Sequence, residues 1–148
     1  NHLFRGFDRL MMDREVDEKR ALEVASAWEN IDNYDVIDAV GSTYSTNGDV
    51  SKKAYFENLA TNSDDAYTKY YSIYHYSMFL GRMDEKTVLE GVTYLENWGE
   101  TDTETYSKRV AKSALTRISN AYTIKADSYK NELKKHLSRN TKMLFNLS

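Results

Sequence analysis

Not one proline occurs in the 148 residues of this chain. Ordinary usage would supply about seven. Proline breaks helix interiors and stiffens turns, so a chain without it is free to run long helices joined by pliable connections. Hydrophobic spacing points the same way, because apolar residues recur at intervals of three and four. The stripes are Leu3, Phe4, Phe7, Leu10 and Met11; Ala21, Leu22, Ala25 and Trp28; Val36, Ile37 and Val40; and Ala54, Tyr55 and Leu59. They continue with Val88, Leu89, Val92 and Leu95, then Val110, Ala114, Leu115 and Ile118, then Tyr129, Leu133, Leu137 and Leu144 in a last helix. No segment alternates as a strand would. The pattern predicts one all-α domain over residues 1–148, with about eight helices in helix–loop–helix pairs. Loops are expected at 43–49, 61–65 and 99–105, where small polar residues and glycine collect.

Composition excludes several kinds of chemistry. There is no cysteine, hence no disulfide, no thiol nucleophile and no cysteine-ligated metal. His2, His75 and His136 are scattered, without the one-turn spacing of a metal pair. No phosphate loop, dinucleotide-binding glycine pattern or nucleophile elbow occurs. The chain is expected not to be an enzyme. No apolar run approaches the ~20 residues of a membrane-spanning helix. There is no signal-peptide pattern, and a chain opening on Asn1 leaves earlier residues open.

The net charge of −3 conceals a division. From Thr105 onward ten basic residues face only Asp127 and Glu132, a balance of +8, while the preceding residues carry −11. The basic third can fold against the acidic part, meet the acidic part of a second copy, or bind an outside polyanion. Lys130, Lys134, Lys135 and Arg139 are the candidate partner-binding residues. The expected partner is a protein or a second copy. Nucleic acid is not expected, because the basic helix has no interleaved exposed aromatics to stack on bases.

An internal repeat accompanies this division. Residues 16–30 align with 83–97, seven of fifteen positions being identical at an offset of 67. A weaker copy begins at Val50 and a more decayed one at Ile124, which suggests units 1–31, 32–62, 65–98 and 103–139. Similar helix starts would produce part of this likeness by themselves. The repeat predicts helix starts capped by Asp17, Ser51, Asp84 and Ser107, with Leu22 and Leu89 buried at matching positions.

The helix-start rhythm, the incoming stretch Leu3–Leu10 and the segment Thr43–Ala54 resemble EF-hand proteins of the sarcoplasmic calcium-binding or calerythrin type. Gly48 would stand at the glycine of the loop and Val50 at its apolar position. The resemblance implies a calcium loop with oxygen ligands and a closing bidentate glutamate. Here the ligands would be Thr43, Ser45, Asn47 and Asp49, and Ala54 stands where the glutamate belongs. Arg9 and Met11, Tyr76 and Met78, and Arg117 and Ala121 occupy ligand positions in the other units. The implied fold is a degenerate EF-hand that holds calcium weakly or not at all. Glu100, Asp102 and Glu104 alternate but lack the glycine turn of a metal loop.

Between Asp65 and Gly81, Tyr67, Tyr70, Tyr71, Tyr74 and Met78 share one helical stripe, opposite Ile73, Tyr76 and Leu80. A helix apolar on two faces is expected to be central, its tyrosines filling the core or lining a ligand cavity. The leading functional expectation is an interaction or assembly protein acting through its charge division, such as a subunit of a larger viral or cellular structure. A calcium-derived EF-hand module and a carrier with a tyrosine-lined pocket are the alternatives.

Overall fold

The computed structural model describes residues 18–101 and 105–147, and every regular element among them is helical. The chain is all-α, as its spacing predicts. It divides into two compact units between Phe79 and Leu80, each described here by itself. The stripe Leu3–Met11, Asp17, Asp102 and Glu104 lie outside the described residues.

The first unit holds α1 (Glu18–Trp28), α2 (Tyr34–Asn47), a 3-10 turn (Val50–Lys52), α3 (Lys53–Asn62) and all but the last residue of α4 (Ala66–Leu80). Ala21 and Ala25 are small enough to let α1 pack on α2. Asn33 caps α2, its side-chain oxygen accepting the Asp35 amide at 2.9 Å. Val36, Ile37, Val40 and Tyr44 of α2 are buried with Phe56 of α3 and Ile73, Tyr76 and Phe79 of α4. Two of these rings carry hydroxyls that need acceptors once buried. Tyr44 donates to Glu29 at 2.5 Å and Tyr76 donates to Glu57. Burial and then the Glu29 carboxylate push the Tyr44 hydroxyl well above the usual phenol range. Helices α2 and α4 meet at Gly41, where a Cβ would stand 2.8 Å from the His75 ring.

Two expectations change in this unit. The segment expected to loop from residue 43 remains helical through Asn47. Helix α4 is buried around Ile73, Tyr76 and Phe79, but its tyrosine stripe is exposed at Tyr67 and Tyr70 and half-buried at Tyr71 and Tyr74.

The second unit continues with α5 (Glu85–Thr101), α6 (Thr105–Ala121), α7 (Asp127–Lys134) and α8 (Arg139–Leu144). Val88, Val92, Leu95 and Trp98 of α5 are buried, as are Val110, Ala114, Leu115 and Ile118 of α6. Helix α5 packs on α6 and α7, and α6 packs on α8. Two glutamates of α5 reach the starts of the short C-terminal helices, where unpaired amides favour negative charge. Glu85 accepts the amides of Lys125 and Ala126, the second at 3.2 Å. The buried Glu96 accepts the Ser138 amide at 2.9 Å and the Thr141 hydroxyl at 2.7 Å. Ser138 itself caps α8, accepting the Thr141 amide at 3.3 Å. The single last helix expected from Tyr129 to Leu144 is therefore two helices, with a turn fixed by a carboxylate some forty residues earlier in the chain.

Glu96→Ala removes an acceptor from two partly buried donors at once. We predict a loss of about 1–3 kcal/mol in chemical denaturation. Asn97→Ala, on the exposed side of the same helix, should stay within about 0.5 kcal/mol.

The repeat is partly visible in packing. Ala21 and Val88, and Ala25 and Val92, are buried at matching positions, whereas Leu22 and Leu89 are both half-buried rather than buried. Asp84 caps α5 as predicted, accepting from the Thr87 amide at 3.2 Å. Ser51 is not a cap: Asp49 caps the 3-10 turn, accepting the Ser51 amide at 2.9 Å, and α3 follows from Lys52 without a side-chain cap. Ser107 lies inside the first turn of α6, fully buried, its hydroxyl without a hydrogen-bond partner among the described residues.

Candidate functional site

Tyrosines gather on the outside of the first unit. Tyr34 opens α2, and Tyr67, Tyr70, Tyr71 and Tyr74 follow one another along α4 at helical spacing. Tyr34 lies 5.3 Å from Tyr67 and 6.4 Å from Tyr71, ring centre to ring centre. Tyr70 lies 5.5 Å from Tyr71 and 6.1 Å from Tyr74, and Tyr74 meets His75 edge-on at 5.2 Å. These separations are those of mutually stabilising ring pairs. The cluster is nevertheless partly open to solvent: Tyr34 is 44% exposed, Tyr67 62% and Tyr70 39%, while Tyr71 and Tyr74 are half-buried. Scattered exposed rings are ordinary on a protein surface, but a connected group is a mark of an interaction face.

Carboxylates border this face. Asp38 Oδ1 is 2.6 Å from His75 Nε2, and Asp35 stands in the first turn of α2. Burial and then the charges of Asp38 and Asp35 hold the Tyr71 hydroxyl above its ordinary value. An aromatic surface edged with negative charge suits a cationic partner, because the ring faces and the carboxylates attract the same group.

The second unit supplies a surface of the opposite kind. Lys134, Arg139 and Lys142 surround a depression of about 700 Å³ together with Met143, Asn146 and Leu147. None of the three cations is paired with a carboxylate among the described residues. The four residues expected to bind a partner separate here. Lys134 and Arg139 meet in the depression, Lys130 is half-buried on α7, and Lys135 pairs with Glu132 at 3.5 Å. Lys142 joins the site although the linear charge pattern did not single it out. Its signal was the turn at Ser138, which brings α8 back beside the end of α7.

No family model, curated protein or solved structure matches this chain.

Three of the four suggested calcium ligands, Thr43, Ser45 and Asn47, lie within α2. Thr43 donates to the Ala39 carbonyl at 3.1 Å and Ser45 to the Ser42 carbonyl at 2.9 Å, both within α2. Asn47 ends that helix, and only Asp49 stands beyond it, where it caps the 3-10 turn. The conformation of residues 43–47 is thus helix rather than a coordinating loop. Among the described residues, no group of three or more histidines and carboxylates is placed to hold a metal ion. Glu100 faces Lys108 at 3.9 Å. No described helix is long and apolar enough to cross a membrane.

Proposed function

We propose that this chain is a non-enzymatic interaction protein that assembles with copies of itself. The acidic tyrosine face of one copy receives the basic depression of another. The observation that carries this reading is the tyrosine cluster of the first unit, five rings linked in a chain of pairs, three of them exposed, with carboxylates at their edge. Tyrosine and arginine are the residues that most often dominate binding energy at protein interfaces. A contact between two different faces of identical chains is head-to-tail, so it generates rings or open chains rather than a closed pair.

The test is the solution mass of the full chain at two salt concentrations. Raising salt from 0.1 M to 1 M shortens the screening length from ~10 Å to ~3 Å. Association is expected at the lower concentration and should be lost or strongly weakened at the higher. Tyr67→Ser with Tyr70→Ser should remove it at both, with the helical circular dichroism unchanged because both rings are exposed. A mass equal to one chain under all conditions would refute self-assembly.

A further inference from the structure

A second cleft in the C-terminal unit has a different character from the basic depression. It opens between α5, α6 and α8 and encloses about 610 Å³. That volume falls within the ~300–1,000 Å³ usual for small-molecule sites. Its floor is aliphatic, formed by Leu95 of α5, Ala111 and Leu115 of α6, and Leu144 of α8. Met143 stands beside it, 61% exposed.

The polar lining groups divide into two kinds. Glu96 is spent on structure, both of its oxygens accepting from the start of α8. Ser138 and Thr141 are the donors it holds, so that wall offers a ligand little further hydrogen bonding. The charges left for a ligand are Lys108, Lys112 and Glu100. Glu100 is solvent-exposed and lies 3.9 Å from Lys108, an arrangement of small net energy. Lys112, one turn further along α6, is exposed and has no carboxylate partner among the described residues.

An aliphatic floor beneath an unpaired ammonium selects a ligand with the same division. We propose that this cleft binds an amphiphile with an aliphatic tail and a single anionic head, of which a long-chain carboxylate is the simplest. The tail covers Leu95, Ala111, Leu115 and Leu144, and the head meets Lys112. A cationic head would face Lys112 with like charge, and a short tail would leave the floor in water.

The experiment is calorimetric titration of the full chain with dodecanoate below its micelle concentration. Hexanoate and dodecyltrimethylammonium serve as tail and head controls. Saturable one-to-one binding of dodecanoate is expected, with hexanoate at least a hundredfold weaker and the ammonium compound at least tenfold weaker. Lys112→Glu should weaken dodecanoate at least tenfold without loss of helicity, since its side chain is exposed. Leu144→Trp, which narrows the cleft, should do the same, whereas Lys125→Glu, outside it, should change nothing. Absence of saturable binding overturns the assignment. So does equal affinity for the two head groups, or affinity unchanged in Lys112→Glu. Binding seen only with phosphatidylglycerol vesicles, and not with monomeric dodecanoate, also overturns it.

Discussion

Phe56→Ala is expected to lower stability by about 3–5 kcal/mol, the range for removing a fully buried phenylalanine. Phe56 has no exposed surface and stands among rings, with Tyr76 at 5.7 Å and Phe79 at 5.3 Å. Truncation removes the transfer energy of the ring and leaves a cavity that the flanking helices fill only in part. It also removes three aromatic contacts, the third being Tyr55 at 5.4 Å, each worth about 0.5–1.5 kcal/mol beyond its buried area. Against a total stability of about 5–15 kcal/mol the effect is large. It should appear as a lower urea midpoint with an unchanged slope. Tyr67→Ala provides the contrast, since an exposed ring removed from the surface should cost no more than about 1 kcal/mol. Equal losses at the two positions would mean that the core and the tyrosine face have been assigned the wrong way round.

That contrast also marks how far the amino-acid pattern was informative. Periodicity identified α5 and α6 because Val88, Val92 and Leu95, and Val110, Ala114, Leu115 and Ile118, are aliphatic residues with one reasonable place to go. It grouped Tyr67, Tyr70, Tyr71 and Tyr74 on one face but assigned that face to the interior, whereas Tyr67 and Tyr70 are exposed and Tyr71 and Tyr74 half-buried. Tyrosine is content at a surface, and the arc that is buried includes Thr68, Ser72, His75 and Ser77, which no count of apolar residues would place inside. The helix through Asn47 was hidden for a related reason. Serine, threonine and asparagine favour loops when their side chains compete for backbone groups. Here Thr43, Ser45 and Thr46 instead bond back to carbonyls of their own helix, and burial of Tyr44 holds the segment in place. The division of the last helix depends on Glu96, a partner far away in sequence, which local spacing does not encode. The make-up of the basic depression was legible only in part: charge counting grouped Lys130, Lys134, Lys135 and Arg139, whereas the fold places Lys134 and Arg139 in one depression with Lys142 and leaves Lys130 and Lys135 outside its lining.

Reversal of the basic depression should produce the largest functional effect. With Lys134→Glu, Arg139→Glu and Lys142→Glu combined, the apparent dissociation constant for self-association should rise at least a hundredfold at 0.1 M salt. Each reversal changes the local charge by two, and all three surround one depression, so the change is concentrated within a single screening length. Helical content should be retained, because none of the three is paired with a carboxylate among the described residues and none fills the core. Reversing Lys135 alone should have a smaller effect, since its charge is already partly neutralised by Glu132 at 3.5 Å. A charge exchange then separates the possible contacts. Asp35→Lys on the tyrosine face should weaken association of the otherwise unchanged chain. Mixed with the triple reversal, it should restore association, because attraction across that contact returns with its sign inverted. If instead the triple reversal leaves the mass unchanged and lowers the melting temperature, the basic segment pairs with acids of its own chain and the assembly reading fails. If mass and stability both stay fixed while binding to an acidic protein disappears, the depression serves a different partner. The three outcomes correspond to the three destinations that the charge division allows, and each leaves a different pair of observables unmoved.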